Sequence, residues 1–360
     1  MSGHVTVIAE AGVNHNGDPA LALKLVDAAA DAGADAVKFQ TFRAEALAAA
    51  AAPKAAYQAE ATGASESQLD MLRRLELSPE AHRAVAAHSR ARNISFMSTP
   101  FDLESLRFLV EEMNVETIKI GSGDLTNAPL LVAAARARRG VILSTGMGTL
   151  GDVEAALGAL AFGLTASMDA RPTCAAFAQA FSTDAGRAAL RTKITLLHCT
   201  TEYPAPIAET NLRAMATMRR AFALPVGFSD HTPGLTATIA AVALGATVIE
   251  KHLTLDRTMP GPDHAASLEP KDFALLVAAV HTTESALGNG EKKPTPGEIK
   301  NMAAARKSLF ARVPIAKGEI LTESNLAVLR PGIGISAMDY FDWLGKTAMR
   351  VYAPGEALDP

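Results

Sequence analysis

The chain has little that would tie it to an oxidising compartment, to nucleic acid or to a membrane. Its two cysteines, Cys174 and Cys199, are too few for a disulfide framework. They fit a reducing compartment, so a cytoplasmic location is expected. The formal net charge is −4 and no long basic run occurs, which argues against a nucleic-acid partner. The opening MSGHVTVIAEAG lacks a basic region followed by a long apolar core, so no signal peptide is expected. The longest apolar run, near residues 235–249, is broken by Thr and Gly and reads as a buried helix and strand rather than a membrane span. Neither a glycine-rich dinucleotide turn nor a Gly-Lys-Ser/Thr phosphate loop opens a helix, which argues against a nucleotide cofactor.

What the chain does have is a hydrophobic content of 49%, enough for a substantial core, and one pattern repeated along its length. The clearest copy is residues 225–264. A short apolar run, Pro225 to Phe228, ends in Ser229, Asp230 and His231; a second, Thr247 to Ile249, ends in Glu250, Lys251 and His252. The Ala- and Gly-rich segment between them, Leu235 to Gly245, has a helical apolar pattern. The same short run with a polar end recurs at Val5–Ala9, Ala36–Phe39, Ile94–Met97, Thr117–Ile120, Val141–Leu143 and Ile194–Leu197. Runs this short and this continuously apolar predict strands buried on both faces. Helical periodicity is expected over 19–32, 79–92, 103–113, 129–138, 152–161, 209–222 and 270–286. The first of these opens with an Asp18 cap and Pro19 and stops at Gly33. Eight strands alternating with helices predict a closed (β/α)8 TIM barrel over residues 1–287, with chemistry at the carboxyl ends of the strands. An open parallel sheet is the alternative.

Two connections are long. Residues 42–78 follow strand two at the catalytic edge and are expected to act as a lid. Residues 162–192 look like an insertion before strand six. At Gly288–Lys300 the sequence changes to GNGEKKPTPGEIK, whose Gly, Pro and charge content predicts a linker over residues 288–304. Residues 305–360 are short apolar stretches punctuated by glycine turns and predict a small β-rich domain. A core of that size is marginal, so the domain is expected to pack on something, such as the barrel of another subunit.

The polar residues at the predicted barrel edge suit an anion. Lys38 and Lys119 supply charge, and Thr99, Ser122, Ser144, Thr145 and Ser229 supply hydroxyls. A single buried lysine is more often a structural ion pair. Two of them, at strand ends that run into Gln40 and Ser122, weaken that reading. A lone histidine at a strand end is usually a satisfied polar residue. His231 and His252 lie on adjacent strands, each close to an acid (Asp230, Glu250), and are the better metal candidates, with the acid expected to hold the second ring nitrogen. Two histidines with no cysteine, and open positions for oxygen ligands, suit Mn2+ or a similar divalent ion more than structural zinc. Glu10, followed by Asn14, His15 and Asn16, reads either as a rim ion pair or as a proton-transfer carboxylate facing the metal. Cys199 beside His198 is expected to be packing, because adjacent strand residues face opposite ways. A tight Gly-Pro turn at 261–262 is expected to aim Asp263 inward.

These residues sit in motifs that resemble the sialic acid synthase family: IAEAGVNHNG (8–17), VKFQTF (37–42), MSTPFD (97–102), KIGSGDLTN (119–127), ILSTGM (142–147), LLHCTTEYPAP (196–206), GFSDHT (227–232), IEKHLTLD (249–256) and GPDHAASLEP (261–270). ARKSL (305–309) and RPGIGIS resemble the family's antifreeze-like SAF domain. The resemblance runs in order along nearly the whole chain. It implies a barrel joined to that domain, assembled as a domain-swapped homodimer. It also implies condensation of phosphoenolpyruvate with an N-acetylated mannose-type sugar and release of phosphate. Residue by residue, it implies Mn2+ at His231 and His252, phosphoenolpyruvate at Lys38, Thr99, Lys119, Ser122, Ser144 and Ser229, and sugar at Gln40, Tyr203 and Asp263. Arg330 would reach the N-acetyl group in a partner's site. Glu10, Asp124 and Glu250 are the candidate catalytic acids. Asp124 stands where the family carries Glu, one methylene longer. Such a shift of about 1 Å is enough to change which sugar fits. The motifs stand nearest the bacterial N-acetylneuraminate synthases, which use N-acetylmannosamine. The alternative is synthesis of legionaminic or pseudaminic acid from a 2,4-diacetamido-2,4,6-trideoxyhexose. A pyruvate aldolase, or a sugar- or ice-binding protein without activity, are readings from other classes. The set of barrel-edge residues argues against a mere binder.

Overall fold

Strands buried on both faces leave no edge that water can satisfy, and here the sheet closes on itself. The computed structural model describes residues 4–49, 52–54, 59 and 67–359. The eight strands are β1 Thr6–Gly12, β2 Ala36–Thr41, β3 Ser95–Pro100, β4 Thr117–Ile120, β5 Gly140–Ser144, β6 Ile194–His198, β7 Val226–Asp230 and β8 Val248–His252. They form a closed barrel in sequence order, with β1 paired in parallel to both β2 and β8. The barrel expectation holds and the open sheet is excluded. β1, β3 and β8 run three residues further than their apolar runs, because their ends still take part in the ladder.

The inside of the barrel is built in layers by strand parity. Ile8, Ala36, Met97, Ile142, Leu197 and Val248 form a buried apolar cluster low in the barrel. Successive side chains alternate between faces, so the residue two further on each strand points inward again. Those residues are Glu10, Lys38, Thr99, Ser144, Cys199 and Glu250. The apolar floor thus gives way, one layer higher, to the polar set that lines the cavity above it.

The helices start and stop for local reasons. α1 (Pro19–Asp31) is capped by the Asp18 side chain, which accepts from the Ala20 N–H at 2.8 Å, and Gly33 follows it with φ +81°. α2 is the short Ala44–Leu47, and α3 is Gln68–Leu75, capped by Ser67. α4, Pro79–Ala91, is capped by the Ser78 side chain and has Pro79 in its first turn. Later helices over 128–136, 150–165, 213–222, 236–243 and 270–287 fall where periodicity predicts them. The 103–113 segment becomes an α-turn, Leu103–Arg107, that widens into a π-turn, Phe108–Glu112. The 162–192 insertion folds as two helices, Cys174–Ser182 and Asp184–Lys193. Phe177 of the first packs edge-on against Phe162 at 5.4 Å.

The lid expected over 42–78 lies partly outside the described residues. Its described part is not loose: Leu69, Met71, Leu72 and Leu75 bury themselves against Phe42 and Ala44 in a cluster separate from the main core.

The chain divides into two compact units, Met1–Asn289 and Gly290–Pro360. The stretch expected to be a linker carries a helix, Pro296–Ala305, begun by a capping box between Thr295 and Glu298. That signal, a Thr followed three residues later by Glu, is visible in the sequence. The second unit pairs β9 (Ser308–Ala311) with β10 (Leu326–Leu329) in antiparallel register. Leu309, Ala311, Ile315, Leu321 and Leu326 lie at the centre of its own apolar cluster. Among the described residues no helix is long and apolar enough to cross a membrane.

Candidate active site

A cavity of about 400 Å3 opens at the carboxyl ends of the barrel strands. Its base is the polar layer, and that layer is an ion cluster. Lys38 Nζ lies 2.6 Å from Glu10 Oε2 and 3.5 Å from Glu250 Oε2, and donates to Thr99 Oγ1 at 3.1 Å. Lys119 Nζ donates to Ser144 Oγ at 2.8 Å and lies 3.5 Å from Glu250 Oε1. Ser229 Oγ donates to the same Glu250 oxygen at 2.8 Å. Both lysines are 3% exposed. An ionic layer this deep costs desolvation that an apolar layer would not, so its presence marks function rather than stability.

The two carboxylates in this cluster are pushed apart. Burial raises Glu10 to about 7, with Lys38 only partly opposing it. Burial acts on Glu250 in the same direction, but Lys119 and Lys38 flank it from both sides and outweigh it, holding it at about 2. Burial also pushes Lys119 down, while Lys38, paired to Glu10 and Glu250, is held above the usual lysine range despite its burial. Glu250 is therefore the fixed anion and Glu10 the carboxyl poised to exchange a proton.

Two residues further along the strands come Gln40 on β2 and His252 on β8; Ser229 of β7 leads in the same way to His231. The two imidazole rings have centroids 5.6 Å apart, and the Tyr203 ring lies 4.2 Å from that of His231, tilted by 34°. His231 Nδ1 bonds the Thr200 carbonyl at 2.6 Å, which fixes its tautomer and turns Nε2 toward Ser229 Oγ. His252 Nδ1 is buried with no hydrogen-bond partner. Burial lowers both histidines, so both rings are neutral near pH 7. Neutral imidazoles, one tethered by a backbone carbonyl and one with an orphaned nitrogen, fit a divalent cation.

The acids expected to brace these histidines do not. Asp230 is one residue from His231 and so faces the opposite way, into a buried pair with Lys251 at 2.9 Å. It also accepts from Thr232 Oγ1 and from Thr238 Oγ1. Glu250 belongs to the lysine cluster.

Ser122 Oγ accepts from the Gly146 N–H at 3.1 Å and contacts Cys199 Sγ at 3.1 Å. Cys199, expected to be packing, lines the cavity, while His198 turns outward to the Thr210 carbonyl. The parity count from Leu197 carries that signal. Gln40, Tyr203 and Asp263 all line the cavity. Gln40 Nε2 donates to Glu10 Oε1 at 3.3 Å, and burial raises Asp263 to about 6. Asp124 lies beside the cavity but is not among the residues that line it. After Gly121 the chain makes a 3-10 turn, Ser122–Asp124, and the Asp124 carboxylate accepts from Asn127 Nδ2 at 2.9 Å instead of lining the cavity. Asn14 braces the mouth by donating to the Leu253 carbonyl and Ser267 Oγ, both at 2.9 Å. Arg330 is exposed in the second unit.

Sequence reasoning missed Gly12. It has φ +52°, and a Cβ there would stand 3.3 Å from Glu10 Oε1, 3.4 Å from Gln40 Nε2 and 3.7 Å from Asp263 Oδ2. The bare backbone keeps open the space those three side chains share. A larger cavity, about 730 Å3, opens among the strand starts at the opposite end, but its charged residues are exposed or half-buried. Among the described residues the buried charges all lie at the carboxyl end.

The NeuB family matches residues 25–292 and the SAF domain matches residues 306–360. The chain belongs to the NeuB family, the sialic acid synthases with a SAF domain. It is 48% identical over 352 residues to an N,N'-diacetyllegionaminic acid synthase of Campylobacter jejuni, covering 98% of both chains. It is 40% identical to an N,N'-diacetyllegionaminic acid synthase of Legionella pneumophila, covering 98% of this chain and 92% of that one. Among solved structures, the N-acetylneuraminic acid synthetase of Leptospira borgpetersenii matches with a TM-score of 0.66 at 34% identity, over 83% of this chain and 90% of the other. As a member of this family the chain is a transferase that forms a carbon–carbon bond.

Proposed function

We propose that this chain condenses phosphoenolpyruvate with 2,4-diacetamido-2,4,6-trideoxymannose, giving N,N'-diacetyllegionaminic acid and phosphate, with a divalent cation such as Mn2+ held by His231 and His252. The observation that carries the chemistry is the buried layer of Lys38, Lys119 and hydroxyls lying directly beneath an imidazole pair in one barrel mouth. The choice of sugar rests on the two relatives at 48% and 40% identity, both N,N'-diacetyllegionaminic acid synthases. They favour the alternative drawn from the sequence over N-acetylmannosamine.

Lys38, Lys119, Thr99, Ser122, Ser144 and Ser229 hold the phosphate and carboxylate of phosphoenolpyruvate. Gln40, Tyr203 and Asp263 line the sugar above it. A divalent cation on the two imidazoles would polarise the aldehyde carbonyl as a Lewis acid. C3 of phosphoenolpyruvate attacks the aldehyde carbon, forming the new C–C bond. Water adds to the cationic C2, and the tetrahedral intermediate loses phosphate by cleavage of its C2–O bond. Glu10 delivers the proton that the former aldehyde oxygen takes up as it becomes a hydroxyl. The fixed charges of the lysine layer hold the departing phosphate without reorganising.

Phosphate release tests this with phosphoenolpyruvate and Mn2+, comparing the diacetamido sugar, N-acetylmannosamine and a chelated control. Cation-dependent release with the diacetamido sugar in clear preference is the expected result. Preference for N-acetylmannosamine would return the chain to N-acetylneuraminate synthesis. Undiminished release after chelation would remove the cation.

A further inference from the structure

We infer that the mouth of the cavity selects a sugar whose far end carries no hydroxyl: Leu47 of α2, Met71, Leu72 and Leu75 of α3, with Val13 and Phe101, form an apolar wall for the C6 methyl of a 6-deoxyhexose. The inference rests on the reading above only in that the site binds an open-chain hexose by its aldehyde end.

The lining has two chemistries: the strands and the connections after β6 and β8 bring most of its polar side chains, while α2 and α3, with Val13 and Phe101, form an apolar side. Strand residues give carboxylates, amines, hydroxyls and imidazoles. The connection after β2 gives leucine and methionine, and among the described residues Gln68, at the start of α3, is the one polar side chain those two helices add to the lining. The reacting carbon must lie over the lysine layer and beside the imidazoles, at strand level. An open hexose chain then extends outward, and C6 arrives among residues that lie beyond the strand ends. The wall is also fixed. Met71, Leu72 and Leu75 are buried in the cluster with Phe42, Ala44 and Leu69, so it cannot turn aside at no cost for a polar group. A hydroxyl placed against these leucine and methionine side chains loses its water and gains no hydrogen bond from them, whereas a methyl group gains by burial.

The test compares two N-acetyl sugars that differ only at C6: N-acetylmannosamine and its 6-deoxy counterpart, with the full chain, phosphoenolpyruvate and Mn2+. Each is read as kcat/KM, or as an inhibition constant against the diacetamido sugar where turnover is slow. The 6-deoxy compound is expected to be favoured at least about tenfold, the scale on which apolar pockets sort small groups. Leu72→Gln, and separately the half-buried Leu47→Gln, should pull that ratio toward one while leaving KM for phosphoenolpyruvate unchanged. Leu47→Gln keeps the test decisive if Leu72→Gln fails to fold. Equal use of the two sugars by the wild type, or an unchanged ratio in Leu47→Gln, would overturn the wall. Failure of the diacetamido sugar alongside an intact 6-deoxy preference would overturn the proposed product and leave the wall standing.

Discussion

Glu10 is the group whose protonation the site holds nearest neutrality. Raised to about 7 by burial, it is a proton donor only on the acid side of that value. The activity of the free enzyme, kcat/KM, should therefore fall as pH rises through about 7. That limb should vanish in Glu10→Gln, whose residual rate should be roughly 100- to 10,000-fold lower, the range for loss of a general acid. A pH–rate profile of the two proteins checks both. The same shift has a stability side. A carboxyl raised in the fold contributes stability below its ordinary value of 4.5 and loses it as pH climbs through about 7. Glu250, held at about 2, does the reverse and loses its contribution as pH falls from 4.5 through about 2. Gly12 makes a different prediction. Gly12→Ala places a methyl group between Glu10, Gln40 and Asp263 at φ +52°. It should cost about 1–2 kcal/mol for the left-handed backbone. It should also lower kcat/KM for the sugar far more than it changes KM for phosphoenolpyruvate. Thermal unfolding and steady-state kinetics separate the two effects.

At the scale of the element, strand parity explains both what the sequence reveals and what it hides. Thr99, Ser144, Ser229, His231 and His252 are legible because a polar burst after a short apolar run is conspicuous, and Lys38 and Lys119 because a lysine enclosed in such a run is. Cys199 is legible only by counting two residues from Leu197, since nothing about a cysteine beside a histidine says which of the two turns inward. Asp230 misleads for the same reason: one position from His231, it faces away from the site. Asp124 misleads because a turn residue has no parity, and its carboxylate closes the turn on Asn127. The Asp230–Lys251 pair is a strut between β7 and β8 behind the two histidines, with both side chains essentially fully buried. Lys251→Met leaves Asp230 buried and unpaired and should cost roughly 3–5 kcal/mol, measurable by denaturant unfolding. Replacing Asp230 and Lys251 together by apolar residues should recover much of that loss.

On the scale of the whole molecule, the barrel was readable from eight repeats of one pattern, and the second unit from the change in composition after residue 288. The helix at 296–305 was hidden by the Gly, Pro and lysines around it, although its capping box was in plain view. We also propose that two copies of the chain exchange their second units, and that Arg330 serves the sugar. Arg330→Ala in the full chain should raise the sugar KM about tenfold or more and leave that of phosphoenolpyruvate unchanged, since a lost charged hydrogen bond is worth about 1.5–3 kcal/mol. An unchanged sugar KM would remove Arg330 from the reaction.

The apolar floor of Ile8, Ala36, Met97, Ile142, Leu197 and Val248 closes the cavity from below. Whatever lies deepest must go in first. If phosphoenolpyruvate lies on the lysine layer as proposed, it should enter before the sugar, because a sugar already in place would stopper the cavity over an empty base. An unreactive sugar analogue should then bind well only to protein that already holds the three-carbon acid.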